Sequence, residues 1–347
     1  MKRIVYADYM RVIGILCVIS VHLCGNYISQ TPLFSNLWYQ GTIFYSLTRS
    51  GVLLFILVSG LLLLDRPQSI DKIPHRIERV MVPFIFWLFI FYVKVVYFDH
   101  TLNATSTYEF ITQFIYCIIN PDMISIEFWY IYMIIGLYLM LPIIQKWISK
   151  TDEREIKYFL ILWFAILLLN YFNTHIMILN YVNLFTGYLG YFILGYYLNK
   201  KDNKYTNSFL LGVFLYILGT LMVLFSILIP TWMTGQVNLE FVGYLHLAPS
   251  SVFKAIGMFL ILKNISYNKL FGSKTETINN FMLKFADITF GLYLIHVIIP
   301  IQDIFNIHTS PFINIPICLI IIIILTYILL NIMNKIPILK RFTGMKY

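Results

Sequence analysis

The sequence predicts an all-helical, polytopic integral membrane protein, and three observations predict it. Of its 347 residues 59% are hydrophobic and only 12% are charged. Its mean hydropathy is +0.77. Apolar runs long enough to cross a bilayer fill nearly the whole chain, joined by short polar connectors. A water-soluble domain cannot carry that proportion of apolar surface, so a soluble class is excluded. The connectors leave no room for a separate soluble domain, and residues 1–347 read as one transmembrane domain.

Windows of about 20 apolar residues place ten spans, at 5–27, 42–64, 80–98, 127–148, 157–173, 183–199, 207–229, 247–265, 284–303 and 312–334. The shorter apolar piece from Tyr108 to Asn120 is expected to lie at the interface or to re-enter the membrane, because it is too short to span. Basic residues orient the set. With the N-terminus in the cytoplasm, the cytoplasmic ends hold Lys2 and Arg3; Arg66, Lys72, Arg76 and Arg79; Lys146, Lys150, Arg154 and Lys157; Lys200, Lys201 and Lys204; Lys263, Lys269, Lys274 and Lys284; and Lys335, Lys340, Arg341 and Lys346. These are 21 of the 25 lysines and arginines, and the outer connectors have none. Arg11, Arg49, Lys94 and Lys254 fall inside the predicted helices. The partition follows the preference of basic residues for the cytoplasmic side and supports cytoplasmic N- and C-termini. The net charge of +9 is therefore a topology signal that calls for no nucleic-acid partner. The expected location is a cell (plasma) membrane of bacterial type, crossed many times.

The first span is expected to be retained, since Asp8 and Arg11 interrupt its apolar run and "SVHLCGN" lacks the small-residue spacing of a cleavage site. Cys17, Cys24, Cys117 and Cys318 lie in apolar stretches without metal-ligand or disulfide spacing, and read as small core residues. No internal repeat is evident, which weighs against an inverted-repeat transporter.

The stretch "YADYMRVIGILCVISVHLCGNY" keeps Asp8, Arg11 and His22 in an otherwise apolar helix. Eleven residues make three turns plus roughly 20°, so Arg11 and His22 share one face about 16 Å apart. Arg11 could instead reach cytoplasmic headgroups and pair with Asp8, with His22 bonded to a neighbouring helix. Together, ionisable groups inside a membrane raise the expectation of a functional interior. Arg76 and Arg79, just before the third predicted span, are placed one turn apart and could clasp a phosphate; as a bare pattern they also serve as topology determinants. Arg49, Glu127, Lys254 and His296 are expected in the outer halves of their helices, with Tyr293 one turn below His296. They could hydrogen-bond the hydroxyls of a polar ligand or form an internal salt-bridge network such as Arg49 with Glu127. Asp287 reads as a helix cap or lysine partner. Tyr188, Tyr191, Tyr196 and Tyr197, with Gly187, Gly190 and Gly195, read as close helix packing. The outer loop "PTWMTGQVNLEFVGYLHLAP" brings Trp232, Glu240 and His246 together as ligand contacts or as an amphipathic cover.

These segments, in this order, resemble the membrane acyltransferase type 3 family over almost the whole chain. "DYMRVIGILCVISVH" is similar to its Asp-x-x-Arg opening with a histidine ten residues on, and "GVLLFILVSGLLL" to a second-helix signature ending in Ser59-Gly60. "RIERVMVPF" resembles its Arg-x-x-Arg before proline, "FWYIYMIIGLYLMLPII" its segment led by Trp129, and "ITFGLYLIHVIIP" its late Tyr-Leu-x-His segment. The resemblance implies that an acyl-CoA, commonly acetyl-CoA, binds from the cytoplasm and that the acyl group reaches a hydroxyl on the other side. It implies that Arg76 and Arg79 hold the coenzyme's phosphates and that His22 is catalytic, as general base or transient acyl carrier. Arg11 would neutralise polarity of the donor inside the bundle or hold the helix in position. Arg49, Glu127, Trp129, Tyr293 and His296 would meet a surface polysaccharide or lipid-linked glycan, with no metal involved. Glu127 departs from the histidine common at that place, and the chain's end after the tenth span implies no periplasmic esterase-like domain. Two rivals remain. A polysaccharide exporter or flippase would use the same cavity without transfer chemistry. A small-molecule carrier would place Arg49, Lys254 and Glu127 at a midplane site.

Overall fold

The computed structural model describes residues 3–172, 177–237, 245–299 and 307–345. Among these it is built of helices: α1 (Val5–Gln30), α2 (Asn36–Thr48), α3 (Gly51–Leu63), α4 (Ile73–Tyr97), α5 (Thr107–Ile119), α6 (Trp129–Lys150), α7 (Glu153–Phe172), α8 (Met177–Lys200), α9 (Phe209–Thr234), α10 (Pro249–Asn264), α11 (Tyr267–Phe271), α12 (Thr275–Ile295), α13 (Pro311–Lys335) and α14 (Pro337–Lys340). Helix is what a bilayer demands, because each N–H and C=O must find a partner within the segment. The ends follow local chemistry. Ser35, Ser106 and Ser208 cap α2, α5 and α9 by accepting from the amides of Trp38, Glu109 and Leu211. Gly235 ends α9 at φ +67°, a left-handed turn that costs glycine least.

Seven stretches among the described residues are long and apolar enough to cross a membrane: Val5–Gln30, Asn36–Leu63, Ile70–Tyr97, Ile126–Lys150, Glu153–Phe172, Phe209–Thr234 and Pro311–Lys335. The other three predicted spans fall on α8, α10 and α12. The 183–199 stretch lies within the 24-residue α8. The 247–265 stretch corresponds to α10, whose 16 residues rise only about 24 Å. The 284–303 stretch is helical only to Ile295, and α12 carries Glu276, Lys284 and Asp287. Residues 173 and 300–303 of these windows lie outside the described residues.

Three boundaries depart from the sequence reading in ways that bear on the site. The second span begins six residues earlier than predicted and is broken into two 13-residue helices, so Arg49 sits at the break in the middle of Asn36–Leu63, not in the outer half of one helix. Ser35 starts it early, and the polar run Ser46 to Gly51 interrupts it. Arg76 and Arg79 lie inside the first two turns of α4 rather than before it, because Pro74 opens that helix at its first turn. Glu127 belongs to a 3₁₀ turn, Ile126–Phe128, ahead of α6.

The chain divides into two compact units: Met1–Gln68 with Ile143–Ala286 and Ile304–Leu319, and Ser69–Pro142 with Asp287–Asp303 and Ile320–Tyr347. In the first, glycines let backbones touch. A Cβ on Gly60 of α3 would overlap the carbonyl of Phe192 on α8, and one on Gly195 would overlap that of Leu57. Lipid tails are as apolar as leucine, so such close packing is what draws helices together. Gly190 packs against the indole of Trp163, whose Nε1 donates to the Gly187 carbonyl at 2.9 Å, in line with the packing role read for the α8 glycines. Lys263 caps the end of α8, donating to the carbonyls of Leu198 at 2.8 Å and Lys201 at 3.0 Å. Tyr27 donates to the Thr309 carbonyl at 3.0 Å and accepts from Asn314 at 2.9 Å.

In the second unit α5 lies along α4. Tyr92, Val96 and the buried Cys117 form a small core with Phe110 and Phe114, and Tyr92 donates to the Phe110 carbonyl at 3.0 Å. The outer side of α5 exposes Tyr108, Ile111, Ile115 and Ile119. At its start, the Thr105 hydroxyl and amide bond the Glu109 carboxylate and hold it below the usual carboxylate range. Trp87 donates to the Phe342 carbonyl at 3.0 Å, and Phe86 stacks on Phe342 at 4.6 Å. All four cysteines are buried, as small core residues should be.

Gly60→Ala and Gly195→Ala should each lower stability by about 1–3 kcal/mol, because a backbone carbonyl must move aside. Gly136→Ala, whose Cβ meets open space, should be neutral or mildly stabilising. Thermal unfolding in detergent reads the difference.

Candidate active site

The sequence-predicted site residues fall in both units. His22, Arg11 and Arg49 belong to the first; Arg76, Arg79, Glu127, Trp129, Tyr293 and His296 belong to the second.

Helix α1 runs uninterrupted from Val5 to Gln30, so Arg11 and His22 do share a face about 16 Å apart along the axis. His22 is half-buried. Arg11 is half-buried too and stands 3.8 Å from Asp8 across one turn, the pairing that the sequence left open. Asp8, only 6% exposed, serves a second guanidinium: Arg3 Nε donates to it at 2.7 Å. Arg3 also donates to the Asn279 carbonyl at 2.7 Å, and Tyr9 donates to the Asn279 side chain at 2.9 Å. One buried carboxylate between two arginines thus ties the start of α1 to α12, and charge-assisted bonds of this kind are about twice as strong as neutral ones.

Arg49 closes α2 at its C-cap. It is 6% exposed, its Cζ lies 5.2 Å from the Tyr45 ring centroid, and its Nη2 lies 3.3 Å from His246 Nδ1. His246 stands in a 3₁₀ turn, Leu245–Leu247, and its carbonyl accepts from Tyr191 at 2.9 Å. Of the loop residues expected together, Trp232 is instead in the last turns of α9, where it donates to Tyr39 at 3.2 Å, and Glu240 lies outside the described residues.

In the second unit Glu127, Tyr293 and His296 come together. The Tyr293 hydroxyl donates to the Glu127 carbonyl at 2.6 Å, and Ser125 bonds the Glu127 carboxylate. His296 is 1% exposed and follows the last residue of α12, so it is not inside a helix as predicted. Its Nδ1 lies 2.7 Å from the Tyr293 carbonyl. A carbonyl only accepts, so Nδ1 carries a proton and donates to it. Tyr293 meets Tyr130 edge to face at 5.3 Å, and half-buried Trp129 opens α6 beside Tyr130. Arg76 is half-buried and Arg79 exposed, in the opening turns of a 25-residue helix. The helix dipole there adds positive potential to both guanidiniums, a combination suited to phosphate. His75, one residue before Arg76, is exposed and 3.3 Å from Glu78.

Sequence reasoning missed the partners that hold these residues: Arg3 on Asp8, His246 on Arg49, and the lysine and tyrosine that meet the end of α2, Lys254 and Tyr216. The run "YSLTRSG" was the available signal, since four polar or glycine residues in a row weaken a helix.

A family model described as an acyltransferase domain matches residues 4–331, a range that includes each of these site residues. No curated protein and no solved structure matches the chain.

Asp8→Asn should lower stability by about 1–3 kcal/mol, because two guanidiniums lose their shared charge. Arg3→Gln, whose side chain is 33% exposed, should cost less. Melting curves by tryptophan fluorescence compare them, and equal losses would show that Asp8 is not the shared centre.

Proposed function

This chain belongs to the membrane acyltransferase type 3 family, and we propose that it moves an acyl group, foremost acetyl, from cytoplasmic acyl-CoA to a hydroxyl of an extracytoplasmic polysaccharide or its lipid-linked precursor. Family membership carries acyl transfer in general. The observation that best supports a transfer through the membrane is the α1 face, with Arg11 and His22 on one side of one continuous helix. In this reading the chain has ten spans, both termini are cytoplasmic, and the membrane is the plasma membrane.

Each residue then has work that its chemistry suits. Arg76 and Arg79 bind the donor's phosphates, since guanidiniums match phosphate oxygens in pairs and α4 adds its positive end. His22 acts at the acyl group, as base or as carrier. As base it takes the proton of the acceptor hydroxyl while that oxygen attacks the thioester carbonyl carbon. The carbon–sulfur bond breaks, and the proton passes to the departing thiolate. As carrier, its ring nitrogen takes the acyl group with loss of the thiol and the hydroxyl then displaces the ring. Arg11 balances charge on the same face. Arg49, Glu127, Trp129, Tyr293 and His296 are the acceptor-side groups, whose side chains can hydrogen-bond or pack against a sugar.

With purified protein, radiolabelled acetyl-CoA and a membrane glycolipid extract, His22→Ala should lower kcat by about a hundredfold or more. Arg76→Ala with Arg79→Ala should raise the KM for acetyl-CoA about tenfold or more while kcat moves little. A double variant that binds donor normally and fails only with acceptor would reverse the assigned sidedness.

A further inference from the structure

Lys254 of α10 is fully buried, at 0% exposure, inside the first unit. Among the described residues its ammonium contacts no carboxylate. It donates to the carbonyl of Ser46 and, at 3.3 Å, to that of Leu47, both in the last turn of α2. It also lies 5.6 Å from the ring centroid of Tyr216, and the Tyr216 hydroxyl donates to the same Leu47 carbonyl at 2.7 Å. Two side chains from two helices therefore converge on one helix end.

The backbone around them makes room for this. A Cβ on Gly219 of α9 would lie 2.6 Å from both Lys254 Cγ and the Ser250 carbonyl, and one on Gly257 of α10 would lie 2.8 Å from the Gly212 carbonyl. These glycines let α9 and α10 approach closely enough for the lysine stem to pass between them and reach α2. An ammonium in the core of a membrane carries a large desolvation cost. The carbonyls of an interrupted helix carry the matching cost of having no water to bond, so each offsets the other.

Two residues beyond the capped Leu47 stands Arg49, which ends the helix and turns its guanidinium over Tyr45 and toward His246. Only Thr48 separates Leu47 from Arg49, so holding those carbonyls restrains the backbone that carries Arg49. Resting on the acyl-transfer reading, we infer that Lys254 and Tyr216 are positioning residues: by fixing the end of α2 they hold Arg49 where it meets the acceptor. Neither touches the reacting atoms.

The test uses full-length protein in detergent with radiolabelled acetyl-CoA and the glycolipid extract titrated by hexose content, and it follows both KM values, kcat and the melting temperature. Lys254→Met should raise the acceptor KM about tenfold or more, with the donor KM within about twofold. Lys254→Arg should restore part of it. In an Arg49→Gln background, Lys254→Met should add little, because the residue it positions is gone. An acceptor KM unmoved by Lys254→Met, or an effect that adds in full to Arg49→Gln, overturns the proposal. Should Lys254→Met fail to fold, Tyr216→Phe removes one hydroxyl and should raise the acceptor KM about threefold, again only while Arg49 is present; no change there overturns it equally. Wild-type protein that transfers to no hydroxyl defeats the underlying acyl-transfer reading and this proposal with it, whereas an active wild type with unmoved variants defeats the positioning role alone.

Discussion

A helix that stops inside an apolar slab leaves carbonyls that no water can reach, and the first unit is organised around that constraint. The break between α2 and α3 at Arg49 leaves such carbonyls at Ser46 and Leu47. Supplying donors to them requires an ammonium and a phenol at that depth, from Lys254 and Tyr216. Bringing those two in requires α9 and α10 to cross at glycine distance, which Gly212, Gly219 and Gly257 permit. The sequence of dependences runs from small residues to close packing, to a capped break, and from there to an arginine held in the interior.

The same economy governs the start of α1. Arg3 and Arg11 would repel if each lacked a counter-charge; Asp8, buried between them, serves both. The helix is thus anchored at its basic end, while His22 lies three turns further along the same face. In the acyltransferase reading this is the geometry wanted of a single rigid element that relates a donor bound among cationic groups to chemistry performed deeper in the membrane.

The parts of this picture written in the sequence are those that depend on residues close together in the chain. The apolar composition dictated helices, and the eleven-residue offset put Arg11 and His22 on one face without reference to any neighbour. The Arg-x-x-Arg pair showed its spacing, although hydropathy windows discounted its charged turns and started α4 too late. Windowing failed for the opposite reason at Arg49, averaging a short polar run into its greasy flanks and so hiding the break. The same averaging predicts helix at Glu127 and His296, whereas a 3₁₀ turn and a helix end hold them. The pairing of Lys254 with α2 spans 208 residues, and no local pattern announces it.

The central claim is that acyl transfer runs through the membrane from a donor on the basic-rich side. The most direct measurement reconstitutes the protein in sealed vesicles of known orientation, with radiolabelled acetyl-CoA on one side and a membrane-impermeant oligosaccharide acceptor on the other. The account predicts labelled oligosaccharide only when acetyl-CoA is supplied on the side bearing the Arg76 and Arg79 end of α4. Product formed equally from either side, or only when donor and acceptor share a compartment, would contradict it.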